Sequence, residues 1–251
     1  MAEHLSALRA SVDRLRQLVA TLDDADLRRP AYPTEWTIAD VLSHLGWGAV
    51  ITERRLQDAL AGRGTPDEFA PAVWDAWNAK DPVAQRDDAL AADAALLDRL
   101  EATTTEERDR FTTAMGPMTF GFDQFVGMRL NEHALHTWDI HVATDPTATL
   151  PADAAALIVD NLDLIARFTA KPPEEPVDIT VATTDPERPF RIEADIDSVA
   201  FSPASPSTSP DLTLPAEAFV RLVYGRLDAS HTPHGDHGPD LDHLRHIYPG
   251  P

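Results

Sequence analysis

Leu5, Leu8, Val12, Leu15, Val19 and Leu22 follow one another at alternating spacings of three and four residues. That period puts them on one face of a helix and predicts an amphipathic helix over 2–22. Pro30 and Pro33 interrupt the pattern. It resumes after Thr37, where Asp40 stands three residues on, a capping-box arrangement with Asp in place of Glu. Ile38, Val41, Leu42, Leu45 and Ile51 give this second helix its apolar stripe, and Gly62 and Gly64 end it. The stretch 65–80, with Trp74 and Trp77, supports no single assignment. Asp81-Pro82 supplies an N-cap and first-turn pair for a third helix reaching Leu100. Gly116-Pro117 reads as a turn, and a fourth long helix is expected from about Thr119 to Ala143. Amphipathic helices of this number and length suggest a bundle.

Beyond this point the pattern changes. Residues 144–153 (TDPTATLPAD) are rich in turn formers and read as a linker. A helix is expected over 152–170. Short β-like runs follow at 177–182, 190–194, 199–201 and 212–214, separated by proline and serine clusters. A closing helix over 215–224 is stopped by Gly225. The fold class is therefore α+β: an N-terminal helical bundle over 1–149 and a smaller α+β domain over 150–251.

Composition narrows the functions open to such a chain. Its 251 residues carry 21 Lys+Arg against 42 Asp+Glu, a formal net charge of −21. Phosphate contacts need a basic face, so nucleic acid is an unsuitable partner, and so is an anionic membrane. There is no cysteine, which excludes disulfides, a thiolate metal site and a cysteine nucleophile. The N-terminus carries no apolar signal core, and no apolar run approaches the length needed to span a bilayer, so the expected location is the cytoplasm.

The chemistry concentrates in one segment, Arg129-Leu-Asn-Glu132-His133-Ala-Leu-His136-Thr-Trp-Asp139. Glu132 and His136 are four apart and lie one above the other on a helix, with Arg129 and Asp139 extending the stripe. A carboxylate and an imidazole so placed suit a divalent cation. They equally suit an ordinary intrahelical contact worth about 0.2–0.5 kcal/mol. A third ligand has to come from another helix. His44 sits on the second helix beside its apolar face, where a core histidine or a metal ligand would stand. Three protein ligands would leave a coordination position open for water or substrate. Asp139 suits orienting a ligand histidine, accepting a proton or simple helix packing. His133 and His141 project off the stripe and read as surface or packing residues. Trp36 and Trp47 read as bundle core. The histidines at 231, 234, 237, 243 and 246 read as an exposed tail.

The phrase Trp36-Thr-x-x-Asp40-Val-x-x-His44-Leu, followed downstream by Glu132-x-x-x-His136-x-x-Asp139-Ile, resembles the mycothiol-dependent maleylpyruvate isomerase family, part of the DinB-like four-helix-bundle superfamily. The ending Leu214-Pro-Ala-Glu-Ala-Phe-Val-Arg221-Leu-Val-Tyr-Gly225-Arg226 resembles that family's C-terminal domain. The resemblance implies a zinc site on His44, Glu132 and His136, with mycothiol as thiol cosubstrate. It also implies that Arg226 helps bind an anionic substrate, and the arginine-rich, lysine-poor composition fits an actinobacterial source. The implied reaction is addition of a thiolate to a small electrophile, ending either in cis–trans isomerisation or in S-transfer. Catalytic roles fall to Arg226 and Asp139. The family's isomerases also carry an arginine before an asparagine after the second helix. Here that place holds Trp77, before Asn78, and Arg86 is the nearby substitute. Two other readings suit the same ligands: a non-catalytic metal-bound bundle that binds a ligand or partner, and a hydrolase using metal-bound water.

Overall fold

The computed structural model describes residues 2–32, 35–116, 118–235 and 238–250. The chain forms two compact units, 1–146 and 147–251.

In the first unit, α1 (Ala2–Val19) packs along the long α6 (Phe122–Thr144), and α4 (Pro82–Glu101) packs along α2 (Ile38–Leu60). The two pairs join through α1 against α4 and α2 against α6. The caps explain the starts. Thr37 Oγ1 accepts the Asp40 amide at 3.2 Å and Asp40 Oδ2 accepts the Thr37 amide at 2.9 Å, closing the expected box at α2. Asp81 Oδ1 accepts the amides of Val83 and Ala84 in front of α4, with Pro82 in its first turn. Leu8, Leu15, Leu42, Leu45, Leu56 and Leu96 are fully buried between these helices.

The unassigned stretch 65–80 contains a helix, α3 (Phe69–Asn78). Its Trp77 packs against α2 at Gly46, where a Cβ would overlap the indole ring. Two further pieces lay below the reach of periodicity. One is α5 (Thr105–Arg110), a single capped turn and a half; the other is the antiparallel hairpin β1 (Thr113–Met115) and β2 (Met118–Phe120). The hairpin occupies the residues expected to open the fourth helix, so α6 begins at Phe122. Gly116 lies in its turn, whereas Pro117 falls outside the described residues.

In the second unit, the expected helix over 152–170 is broken. α7 (Ala152–Ile158) and α8 (Leu162–Thr169) are separated by one 3₁₀ turn. All four β-like runs are strands: β3 (Val177–Thr184), β4 (Arg188–Ala194), β5 (Val199–Pro203) and β6 (Leu212–Pro215). They form one sheet in the order β5-β4-β3-β6, antiparallel except for the parallel pair β3/β6. Ile179, Val181, Phe190 and Ile192 alternate inward along β3 and β4. There α9 (Ala216–Val223) meets the sheet, its Phe219 5.2 Å from the ring of Phe190.

The tail is not wholly loose. Gly238–Ile247 is a helix, α10, that buries Leu241, Leu244 and Ile247, so His243 and His246 sit on a packed helix. His237 lies outside the described residues.

Candidate metal centre

Glu132, His136 and Asp139 all belong to α6, and His44 belongs to α2. Where α2 crosses α6, one donor atom from each of His44, Glu132 and His136 lies within 4.8 Å of the others. His44 Nε2 is 3.2 Å from Glu132 Oε2, and His136 Nε2 is 3.7 Å from the same oxygen. Donors bound to one tetrahedral zinc at about 2.0–2.1 Å stand about 3.4 Å apart. The two spacings to Glu132 Oε2 bracket that value.

The surroundings of the donors suit a cation. His136 Nδ1 donates to Asp139 Oδ2 at 2.8 Å, and Asp139 is fully buried. With Nδ1 engaged there, the ring presents Nε2 to the Glu132 carboxylate. A cation between His136 Nε2 and the Glu132 carboxylate would satisfy both. His44 Nδ1 is buried without a hydrogen-bond partner among the described residues, so that ring engages its surroundings through Nε2. Burial pushes the Glu132 carboxyl up, but the hydrogen bond from His44, the neighbouring imidazoles and the Arg129 guanidinium outweigh it and hold the group at about 2. Burial pushes the His44 imidazole below its ordinary value, against the opposing pull of Glu132. An ionised carboxylate and a neutral imidazole are the forms that bind metal.

A buried polar network lies beside the donors, and sequence reasoning missed most of it. Arg129 Nη2 donates to Asp93 Oδ1 of α4 at 2.7 Å and to the Leu45 carbonyl of α2 at 2.8 Å. The other carboxylate oxygen, Asp93 Oδ2, is 3.2 Å from His133 Nε2, whose Nδ1 is 2.8 Å from Ser11 Oγ of α1. His133 is therefore a buried packing residue. Arg129 ties α6 to the carbonyl of Leu45, the residue after His44. Room for it exists because residue 48 is glycine: a Cβ there would stand 2.7 Å from Arg129 Nη1. One signal was available in the sequence. Asp93 is a charge on the apolar stripe of α4, between Ala89 and Leu96.

Of the two tryptophans expected in the core, Trp47 packs against it and Trp36 does not. Trp36 is 37% exposed and stacks on His136 at 6.0 Å between centroids, so it covers the donors instead of filling the core. Trp47 lies edge-on to His44 at 4.4 Å and to Trp74 at 5.6 Å. Below them a cavity of 160 Å³ opens beside His44 and Glu132, walled by Trp47, Ile51, Arg55, Phe125, Met128 and Arg129.

Residues 8–141 match the family model described as the mycothiol maleylpyruvate isomerase N-terminal domain, which is more than half of the chain. The chain belongs to this family. Two solved structures share the fold of both units. One is a mycothiol-dependent maleylpyruvate isomerase, 16% identical, with a TM-score of 0.65 over 94% of this chain and 95% of that one. The other is a histidine-to-alanine mutant of a mycothiol-dependent maleylpyruvate isomerase, 15% identical, with a TM-score of 0.66 over 95% of each chain. Among curated proteins, none matches.

Against the family's pattern, Trp77 is a packing residue, buried against Gly46 with Lys80 Nζ 3.4 Å from its ring centroid. Arg86, the nearby arginine, pairs with Asp87 and Asp24. Arg226 lies in the second unit, buried, with Nη1 donating to the Tyr224 carbonyl at 3.0 Å.

Proposed function

We propose that the chain is a metal-dependent, mycothiol-using enzyme that adds a thiolate to a small electrophile, as a cis–trans isomerase or an S-transferase. The observation that carries this reading is the convergence of His44, Glu132 and His136 from two helices, with Asp139 behind His136, in a chain of this family. A divalent metal, zinc in our reading, would supply a Lewis acid able to hold a thiol as thiolate at neutral pH. Lacking cysteine, the chain has no thiol of its own, so a thiolate nucleophile would come from a cosubstrate.

Each residue then has a task. Glu132 brings the negative charge of the ligand set. His44 and His136 bring neutral nitrogens, and Asp139 keeps the His136 proton on Nδ1 so that Nε2 is available. Trp36 and Trp47 pack against the His136 and His44 rings and help hold them in place. Arg226 is the cation we assign to an anionic group of the electrophile.

The test is elemental analysis of untagged protein together with calorimetric titration of mycothiol. We expect about one metal per chain and saturable thiol binding, both lost in His136→Ala and in His44→Ala while helicity is kept. Metal retained at parent stoichiometry in both variants would remove the ligand assignment. Metal without thiol binding would favour a hydrolase or a binding module.

A further inference from the structure

A second cavity, of 350 Å³, adjoins the first along α2, and the two share Ile51 and Arg55 in their walls. The second is polar where the first is mostly apolar. Arg63, Thr65 and Asp67 from the loop after α2 line one side, and Thr112 and Thr113 at the entry to β1 line the other. Arginine donates, aspartate accepts and threonine does both, which is the mixture that recognises a set of hydroxyl groups.

The loop wall is built, not draped. Asp58, buried on the last turn of α2, accepts from Arg54 Nε at 2.6 Å and from Arg63 Nη2 at 3.2 Å. Its carbonyl accepts the Arg63 amide at 2.8 Å. The neighbouring guanidinium of Arg54 and the Thr65 hydroxyl hold its carboxyl below the ordinary range. The path between the donors and this wall follows one helix face, through His44, Trp47, Ile51 and Arg55. From residue 44 to residue 55 that is about 16 Å of helix axis.

We infer that the second cavity receives the glucosaminyl-inositol end of mycothiol, while its cysteinyl end runs along the first cavity to His44, Glu132 and His136. This assignment rests on the thiol-using reading above and adds the place where the rest of the cosubstrate is held. Mycothiol is a cysteine derivative at one end and a pair of polyhydroxylated rings at the other. The order of the two cavities, apolar beside the donors and polar beyond Arg55, matches that order of groups.

The test compares mycothiol with N-acetylcysteine, which has the thiol end alone, by calorimetric titration of the metal-loaded full chain. Ala114→Trp fills the second cavity from an exposed position on its wall, and Arg63→Ala removes a donor from the loop. Expected is tighter binding of mycothiol than of N-acetylcysteine by the parent. Each variant should weaken mycothiol by about tenfold while metal content and N-acetylcysteine binding stay unchanged. Equal binding of the two thiols by the parent would overturn the assignment. So would mycothiol binding that neither variant moves, or an equal loss for both thiols. A parent that binds neither thiol would overturn the thiol-using reading itself, and the two failures are thereby told apart.

Discussion

Single residues at the centre differ in how openly the sequence declares them. Glu132, His136 and Asp139 are spaced by a helical turn on one element, and local spacing alone puts them on one face. His44 lies on another helix, and its place beside them depends on how α2 crosses α6, which no local pattern encodes. Asp139 offers the sharpest test at this scale. Replacing it with Asn keeps the shape and removes the charge that fixes the His136 proton on Nδ1. Asp139→Asn should weaken metal binding by about 10–100-fold. Competition against a chromophoric chelator measures this, and circular dichroism checks that the helices persist. An unchanged affinity would make Asp139 a packing residue. Arg129 stood in the expected stripe, but its partners did not. Asp93, His133 and Ser11 come from three different helices, and only the assembled bundle brings them together.

At the scale of elements, the long amphipathic helices were legible because each has a periodic stripe and a recognisable cap. α2 and α4 begin where Thr37 and Asp81 place them. What escaped was short or contradicted locally: α5, the β1/β2 hairpin and α10 are each too brief to show a period, and the histidines of α10 mask its three buried apolar residues. α6 owes its place to polar contacts as much as to apolar ones, since Arg129, Asn131, His133 and Asp139 are buried on it. The Asp93–Arg129 pair therefore governs how α4, α2 and α6 hold together, and it makes a prediction about acid. Burial pushes the Asp93 carboxyl up, yet His133 and Arg129 pull harder and hold it below its ordinary 3.8. In the folded chain Asp93 stays ionised at pH values where the unfolded chain takes up its proton. The stability it contributes is thus fully present above that ordinary value and is lost as the pH falls through it toward the lower folded value. Asp93→Asn should cost about 3–5 kcal/mol at neutral pH, because Arg129 is left buried without its counter-ion. It should also flatten the fall in thermal midpoint below about pH 4. A variant melting with the parent's acid profile would show that the pair does not carry this dependence.

For the molecule as a whole, 42 Asp+Glu against 21 Lys+Arg give a formal net charge of −21, a balance that offers few cations for phosphate contacts. No helix among the described residues is long and apolar enough to cross a membrane. The three donors, their network and both cavities belong to the first unit. What the second unit adds to the chemistry is carried in our reading by Arg226. A guanidinium that binds an anionic group of the substrate acts on binding and leaves the metal alone. Arg226→Ala should therefore raise KM for an anionic electrophile by about tenfold or more with metal content unchanged, and Arg226→Lys, which keeps the charge but loses the bidentate geometry, should recover only part of the loss. The same residue also donates to the Tyr224 carbonyl, so thermal melting has to accompany the kinetics. A lowered midpoint with KM unaltered would assign Arg226 to the architecture of the turn after α9. A raised KM at a parent-like midpoint would join the second unit to the reaction.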